Sequence, residues 1–140
     1  MRCVLDTNVV VAAMRTPGGA SAALLMAARG GSITMLANVA LALEYEATCR
    51  LADHRLVAGL DDEQVGIFID AILAMVEPVE THYLWRPLLR DPADEFVLEA
   101  AVNGQAGAIV TLNRRDFGAA PATFGIEVLN PGELLRRLRR

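Results

Sequence analysis

Short, almost wholly apolar runs, separated by stretches of helical character, constrain this chain more than any other feature. Cys3-Val4-Leu5, residues 33–36, Ala108-Ile109-Val110-Thr111 and residues 126–129 read as buried strands. Strands that are apolar on both faces belong to parallel sheets, whose crossovers are helices packed against the sheet. The intervening segments supply them. Thr16-Pro17-Gly18-Gly19 is a turn, residues 21–29 form a helix closed by Gly30-Gly31, and Asn38 caps a helix running through Glu44 to about Leu51. Asp61-x-x-Gln64 resembles a capping box. It opens a helix with Val65, Ile69, Ile72 and Leu73 at inward spacing and Phe68 and Val76 nearby. Residues 78–87 read as irregular or weakly extended. Residues 91–95 start a further helix that packs through Phe96, Leu98 and Ala101 and ends at Gly104 and Gly107. Asn130-Pro131-Gly132-Glu133 combines a cap, a first-turn proline and an acid three residues on, a strong helix start. The expectation is one α/β domain over residues 1–140 around a mainly parallel sheet.

Composition removes several chemistries. All 13 basic residues are arginine, so a Walker lysine, a Schiff-base lysine and the lysine of receiver domains and haloacid-type phosphatases are absent. The serines, Ser21 and Ser32, lie outside any G-x-S-x-G. His54 and His82 are isolated, without H-E-x-x-H, and a zinc hydrolase gains no support. Cys3 and Cys49 lack C-x-x-C spacing and read as reduced, buried thiols. No apolar run approaches the roughly 18 residues of a membrane helix, and the N-terminus has no signal-peptide layout. A cytoplasmic protein without a membrane partner is expected.

Acids remain in quantity. Asp6 falls where the first apolar run stops, at the carboxyl end of a buried strand, the edge beyond which open α/β sheets build ligand sites. A carboxylate so near a core needs a cation or donors to offset its desolvation. Glu44 lies in an otherwise apolar helix, Asp94 and Glu95 start the helix feeding the 108–111 strand, and Asp116 follows that strand. Neither a helix start nor an exposed face accounts for Asp6 in this reading, whereas Asp94 and Glu95 also suit a helix's first turn. Carboxylates gathered without histidine or cysteine suit Mg²⁺ or Mn²⁺, and a shared cation relieves their mutual repulsion. The net charge of −4 opposes non-specific nucleic-acid binding. Arg114-Arg115 and the terminal Arg136, Arg137, Arg139 and Arg140 qualify that, as local phosphate contacts or as ordinary surface and helix-end charge.

Five blocks in order carry a family resemblance over essentially the whole chain. They are Val4-Leu5-Asp6-Thr7-Asn8, Leu43-Glu44-Tyr45, Arg90-Asp91-Pro92-Ala93-Asp94-Glu95, Ile109 through Phe117, and Gly125-Ile126-Glu127-Val128-Leu129-Asn130-Pro131. The chain resembles a PIN domain, specifically the small bacterial type found as the toxin of toxin–antitoxin systems. The resemblance implies a Rossmann-like α/β/α sandwich and a metal-dependent ribonuclease leaving 5′-phosphate and 3′-hydroxyl ends. It implies Asp6 as principal metal ligand, Thr7 and Asn8 as supports of its loop, Glu44 as second acid, and Asp94 or Glu95 as third. The fourth acid of the family stands two residues after the strand-ending Thr111, where this chain has Asn113; Asp116 is the nearest substitute. An amide keeps an oxygen donor but removes a charge, which weakens a second metal more than a first. Single-stranded RNA is the expected substrate, with Arg114 and Arg115 on its phosphates. The resemblance further implies a homodimer and a cognate antitoxin. Two rivals stand beside this reading. One is a phosphotransfer domain with Asp6 as nucleophile, which would want an acid where Asn8 stands. The other is a PIN-fold binding module, weakened at Asn113, that holds a partner protein.

Overall fold

The computed structural model describes residues 1–81, 89 and 91–139. Tyr83, Trp85, His82, Arg90 and Arg140 fall outside them. Five parallel strands form the centre: β1 (Arg2–Leu5), β2 (Thr34–Ala37), β3 (Glu77–Pro78), β4 (Ala108–Val110) and β5 (Glu127–Leu129), ordered β3-β2-β1-β4-β5. Every pairing among them is parallel, with Cys3 opposite both Met35 and Ala108 and with Leu5 opposite Val110. The sheet is the expected parallel one, and with its helices it forms the α/β/α sandwich. β3 is an addition, a two-residue edge pairing at the start of the segment that reads as irregular or weakly extended, where Pro78 is tolerated because an edge strand leaves one side unpaired.

Helices fill the crossovers: α1 (Thr7–Arg15), α2 (Ala20–Arg29), α3 (Val39–Cys49), α4 (Ala52–Ala58), α5 (Asp62–Met75), α6 (Pro92–Asn103), α7 (Ala120–Thr123) and α8 (Pro131–Leu138). A 3₁₀ turn spans Arg114–Phe117. The capping boxes at Asp61/Gln64 and Asn130/Glu133 both form. Gly31 takes φ +86°, the left-handed turn that closes α2 at little cost to a residue without Cβ.

Three helices, α1, α4 and the four-residue α7, have no counterpart in the sequence reading. α1 opens with Thr7-Asn8-Val9-Val10-Val11, whose β-branched threonine and valines disfavour helix on their own. Burial overrides this preference: Val9, Val10, Val11, Ala13 and Met14 all enter the core. α4, with no buried residue, is a solvent-side turn of helix ended by Gly59 at φ +72°. Phe96, expected inward, is instead 38% exposed, while Leu98 and Ala101 are buried as expected. Leu73 is likewise on the outer side of α5. Among the described residues no single helix is long and apolar enough to cross a membrane. Both cysteines are buried thiols without a disulfide.

The strand order reverses at β1: β2 and β3 lie to one side, β4 and β5 to the other. The crevice beyond the carboxyl ends of β1 and β4 is therefore the topological switch point, the usual ligand position in such sheets. Asp6 and Thr111 are the first residues past those two ends.

Candidate active site

Asp6 is anchored from three directions. Its amide donates to the Val110 carbonyl at 2.8 Å, which ties the end of β1 to β4. Its Oδ1 accepts from the Thr7 amide at 2.8 Å, and its Oδ2 accepts from the Thr111 hydroxyl at 2.7 Å. Asp6 is thus the N-cap of α1, which corrects the expectation that no helix start accounts for it. The cap does not exhaust its role. The carboxylate is only 7% exposed, and burial, with Asp116 and Asp91 adding repulsion, pushes its pKa upward against those two hydrogen bonds.

Thr111 is the hub of the opposite wall. It donates to Asp6 and accepts from the Asn113 amide at 3.0 Å and, more weakly, from Asn8 Nδ2 at 3.4 Å. Asn8 Oδ1 in turn accepts from the Leu112 amide at 3.2 Å. Thr7, Asn8, Thr111 and Asn113 thereby lock the loops after β1 and β4 to each other.

α3 brings Glu44. Its cap, Asn38, accepts from the Leu41 amide at 2.9 Å while its Nδ2 donates to the Phe96 carbonyl of α6 at 3.0 Å. One side chain therefore fixes the helix of Glu44 against the helix of Asp94. Asn38→Ala is expected to cost about 1–2 kcal/mol, the lost cap plus an unpaired carbonyl, read as a lower urea midpoint. Tyr45, fully buried, donates its hydroxyl to the Leu5 carbonyl and pins the same helix to the end of β1. Burial raises the pKa of Glu44, with Asp6 and Asp91 reinforcing the shift. The Thr7 hydroxyl is buried without a hydrogen-bond partner among the described residues.

α6 begins at Asp91, whose carboxylate accepts from the Ala93 amide at 2.9 Å, with Pro92 in the first turn. Asp91, not Asp94, is the cap. Asp94 follows in the first turn, 9% exposed, its pKa raised to about 7 by burial first and then by Asp6, Asp116, Asp91 and Glu44. Glu95 points elsewhere, accepting from the Leu89 amide. Of the two acids the sequence leaves open, Asp94 faces the other carboxylates.

These elements enclose a cleft of about 590 Å³ lined by Asp6, Glu44, Asp91, Asp94 and Asp116 together with Thr7, Asn8 and Leu112. Four of the five sequence-nominated carboxylates meet there, and Glu95 does not line it. Asn113 is exposed and also off its wall, so the amide falls outside the cleft while Asp116 falls inside. Arg114 pairs with Glu133 of α8. Arg115 lines an adjoining cleft that shares Asp91, Asp94 and Asp116 as its wall. Arg137 of the terminal cluster forms a two-pronged pair with Glu127 at 2.6 and 2.7 Å. Three ionisable lining residues were missed by the sequence reading: Asp91, Arg15 and His54. Asp91 stood in a quoted block, but its capping role gave no reason to single it out. Arg15 and His54 lie 39 positions apart and meet only through the tertiary fold.

The donors suit a hard cation. They are oxygens only, buried ones carry raised pKa values that a nearby positive charge would reverse, and the buried Thr7 hydroxyl is unspent. Among the described residues no three ligating side chains already close on one point. Mg²⁺ does not require it, since it commonly takes one or two carboxylates and keeps its waters.

Comparison with known proteins agrees with the fold. The family model described as PIN domain matches residues 2–115. Among solved structures, the chain is similar to the crystal structure of VapBC2 from Rickettsia felis bound to a DNA fragment from their promoter. The match has a TM-score of 0.63 and 17% identity, and covers 93% of this chain and 98% of that one. No curated protein matches the chain.

Proposed function

We propose, from the premise that this chain belongs to the PIN domain family, that it is a Mg²⁺- or Mn²⁺-dependent endoribonuclease acting as the toxin of a type II toxin–antitoxin pair. One observation carries the reading. Carboxylates from the ends of β1, α3, α6 and the turn after β4 share one cleft at the sheet's switch point, and burial, reinforced by neighbouring acids, raises the pKa of Asp6, Glu44 and Asp94.

In this reading Asp6 and Asp94 would hold the metal, and Asp116 would take the place of the family's fourth acid. Such an ion neutralises charge on the phosphoryl oxygens and makes a bound water more acidic. The protein's own groups do the rest. Thr7 and Thr111 fix both oxygens of Asp6, so its carboxylate is oriented before substrate arrives. Glu44, half-buried and with a raised pKa, accepts a proton from the attacking water. Arg115, beside the Asp94 and Asp116 wall, contacts a backbone phosphate more readily than Arg114, whose charge is engaged by Glu133. Single-stranded RNA is the substrate class, because its backbone can bend into an acid cleft that a duplex cannot enter.

We extend to the chain the remaining family expectations: a single domain, a homodimer, a cytoplasmic location and a cognate antitoxin. The fold shared with VapBC2 supports the antitoxin. A short open reading frame beside the gene, whose product co-purifies with this chain and stops cleavage, is the expected result. The binding-module alternative loses its motive, since Asn113 lies off the cleft wall. Incubating purified protein with single-stranded RNA, with and without EDTA, tests the activity. Cleavage that persists in EDTA would overturn the metal-dependent reading.

A further inference from the structure

We propose that Arg15 and His54 form a phosphate-holding pair at the rim of the acid cleft, which positions a backbone phosphate flanking the one that is cleaved. The inference deepens the ribonuclease reading and rests on it. Five carboxylates line the cleft, yet Arg15, which lines it too, forms no ion pair with any of them among the described residues. Its Nη1 instead lies 3.1 Å from Nδ1 of His54, a second lining residue. An arginine beside acids ordinarily takes a two-pronged carboxylate pair. Here an imidazole occupies the guanidinium, so its charge stays at the rim and leaves the acids un-neutralised.

The chemistry of the pair follows from its donor inventory. A guanidinium has no acceptor, so Nη1 donates and Nδ1 must accept. With Nδ1 accepting, the imidazole N–H left to donate is at Nε2. What remains on both residues is donors: the other guanidinium N–H groups and one imidazole N–H. A donor-only pair with one positive charge matches a phosphodiester oxygen and offers nothing to a metal cation.

Placement fixes which phosphate. α1 runs from the Asp6 cap to Arg15 in its last turn, a span of about 13 Å at 1.5 Å per residue. Arg15 therefore stands a helix length from Asp6 and addresses a neighbouring phosphate on the same strand. The helix dipole favours an arginine at that end. It does not account for the contact with His54 of α4, which holds the guanidinium against the cleft.

The test compares wild type with Arg15→Gln, Arg15→Lys and His54→Ala, using a fluorescein-labelled single-stranded RNA. Binding is followed by anisotropy against salt in EDTA, and cleavage by steady-state kinetics with Mn²⁺. Arg15→Gln is expected to raise KM about tenfold with kcat changed by no more than about twofold. Its plot of log affinity against log salt is expected to be shallower by about 0.7, the loss of one phosphate contact on a single strand. Arg15→Lys keeps the slope and recovers part of KM, because charge survives while the fork is lost. His54→Ala raises KM by about threefold with the slope unchanged, since no charge is removed. Arg15 is exposed, so these variants are expected to melt with wild type. If wild type cleaves RNA while Arg15→Gln matches it in KM and slope, the pair is not a phosphate site and the ribonuclease reading stands. A fall in kcat with KM unchanged likewise overturns the positioning role. If wild type itself neither binds nor cleaves the RNA, the ribonuclease reading falls, and this inference with it.

Discussion

Asp6→Asn is expected to lower RNA cleavage by about 10²–10³-fold while leaving the protein folded, the order seen when one group poised against developing charge is lost. The two halves of the result separate function from architecture. Asparagine caps helices as well as aspartate does, so α1 keeps its start. The new amide still offers one oxygen to the Thr7 amide, and its nitrogen can donate to the Thr111 hydroxyl, which turns to accept in place of the weak 3.4 Å bond from Asn8. The substitution also removes a buried negative charge whose pKa is pushed upward by desolvation and by Asp116 and Asp91. The melting temperature should therefore equal or exceed that of wild type. An Asp6→Asn protein that cleaves as fast as wild type would show that the activity belongs to a contaminant or to another site. One that unfolds would show that the carboxylate is chiefly a structural cap.

The second large effect concerns pH and metal. In the absence of divalent cation, taking the protein from about pH 8 to about pH 5.5 is expected to raise its melting temperature by about 4 °C, the equivalent of roughly 1 kcal/mol in a small domain. The sign follows from Asp94. Its folded pKa of about 7 lies above the ordinary aspartate value of 3.8, so the folded state binds the proton more tightly. Stability is then full below the ordinary value and is lost as pH rises through that window to about 7. Asp6 and Glu44 are shifted in the same direction and share the cleft with Asp91, Asp116, Arg15 and His54. Solvent in the open cleft screens the effect, which is why the expected change is modest. Glu127 and Glu133 have lowered pKa values and act only below 4.5, outside the window.

Adding Mg²⁺ or Mn²⁺ should stabilise the protein at the higher pH and much less at the lower one, since protons and metal compete for the same carboxylates. Asp94→Asn should flatten the pH profile and shrink the metal-induced increment. A profile that rises toward high pH without metal would contradict the desolvation argument. So would a metal increment indifferent to pH.

The sequence carried the elements whose chemistry is local. Capping boxes at Asp61 and Asn130 and the all-apolar strands β1 and β4 are short-range signals, and each appears where its residues demand. α1 was hidden because its three consecutive valines disfavour helix locally, and only their burial outweighs that preference. The choice between Asp94 and Glu95 was equally closed to sequence. Adjacent helical residues point about 100° apart, and which one faces the cleft depends on how α6 packs on the sheet. Asn113 looked like a defect in the site by its spacing from Thr111. In the fold its backbone amide donates to the Thr111 hydroxyl, and the 3₁₀ turn that follows carries Asp116 to the cleft wall.

By itself the sequence determined that this chain is a parallel α/β domain of the PIN family with an oxygen-only acid set. Strand periodicity, caps and residue chemistry are properties of neighbours along the chain. The tertiary structure decided which acids meet, that Asp91 joins them, and that Arg15 meets His54 across 39 positions. Those are distances between segments far apart in sequence, and they exist only once the sheet order reverses at β1 and draws the ends of β1 and β4 together.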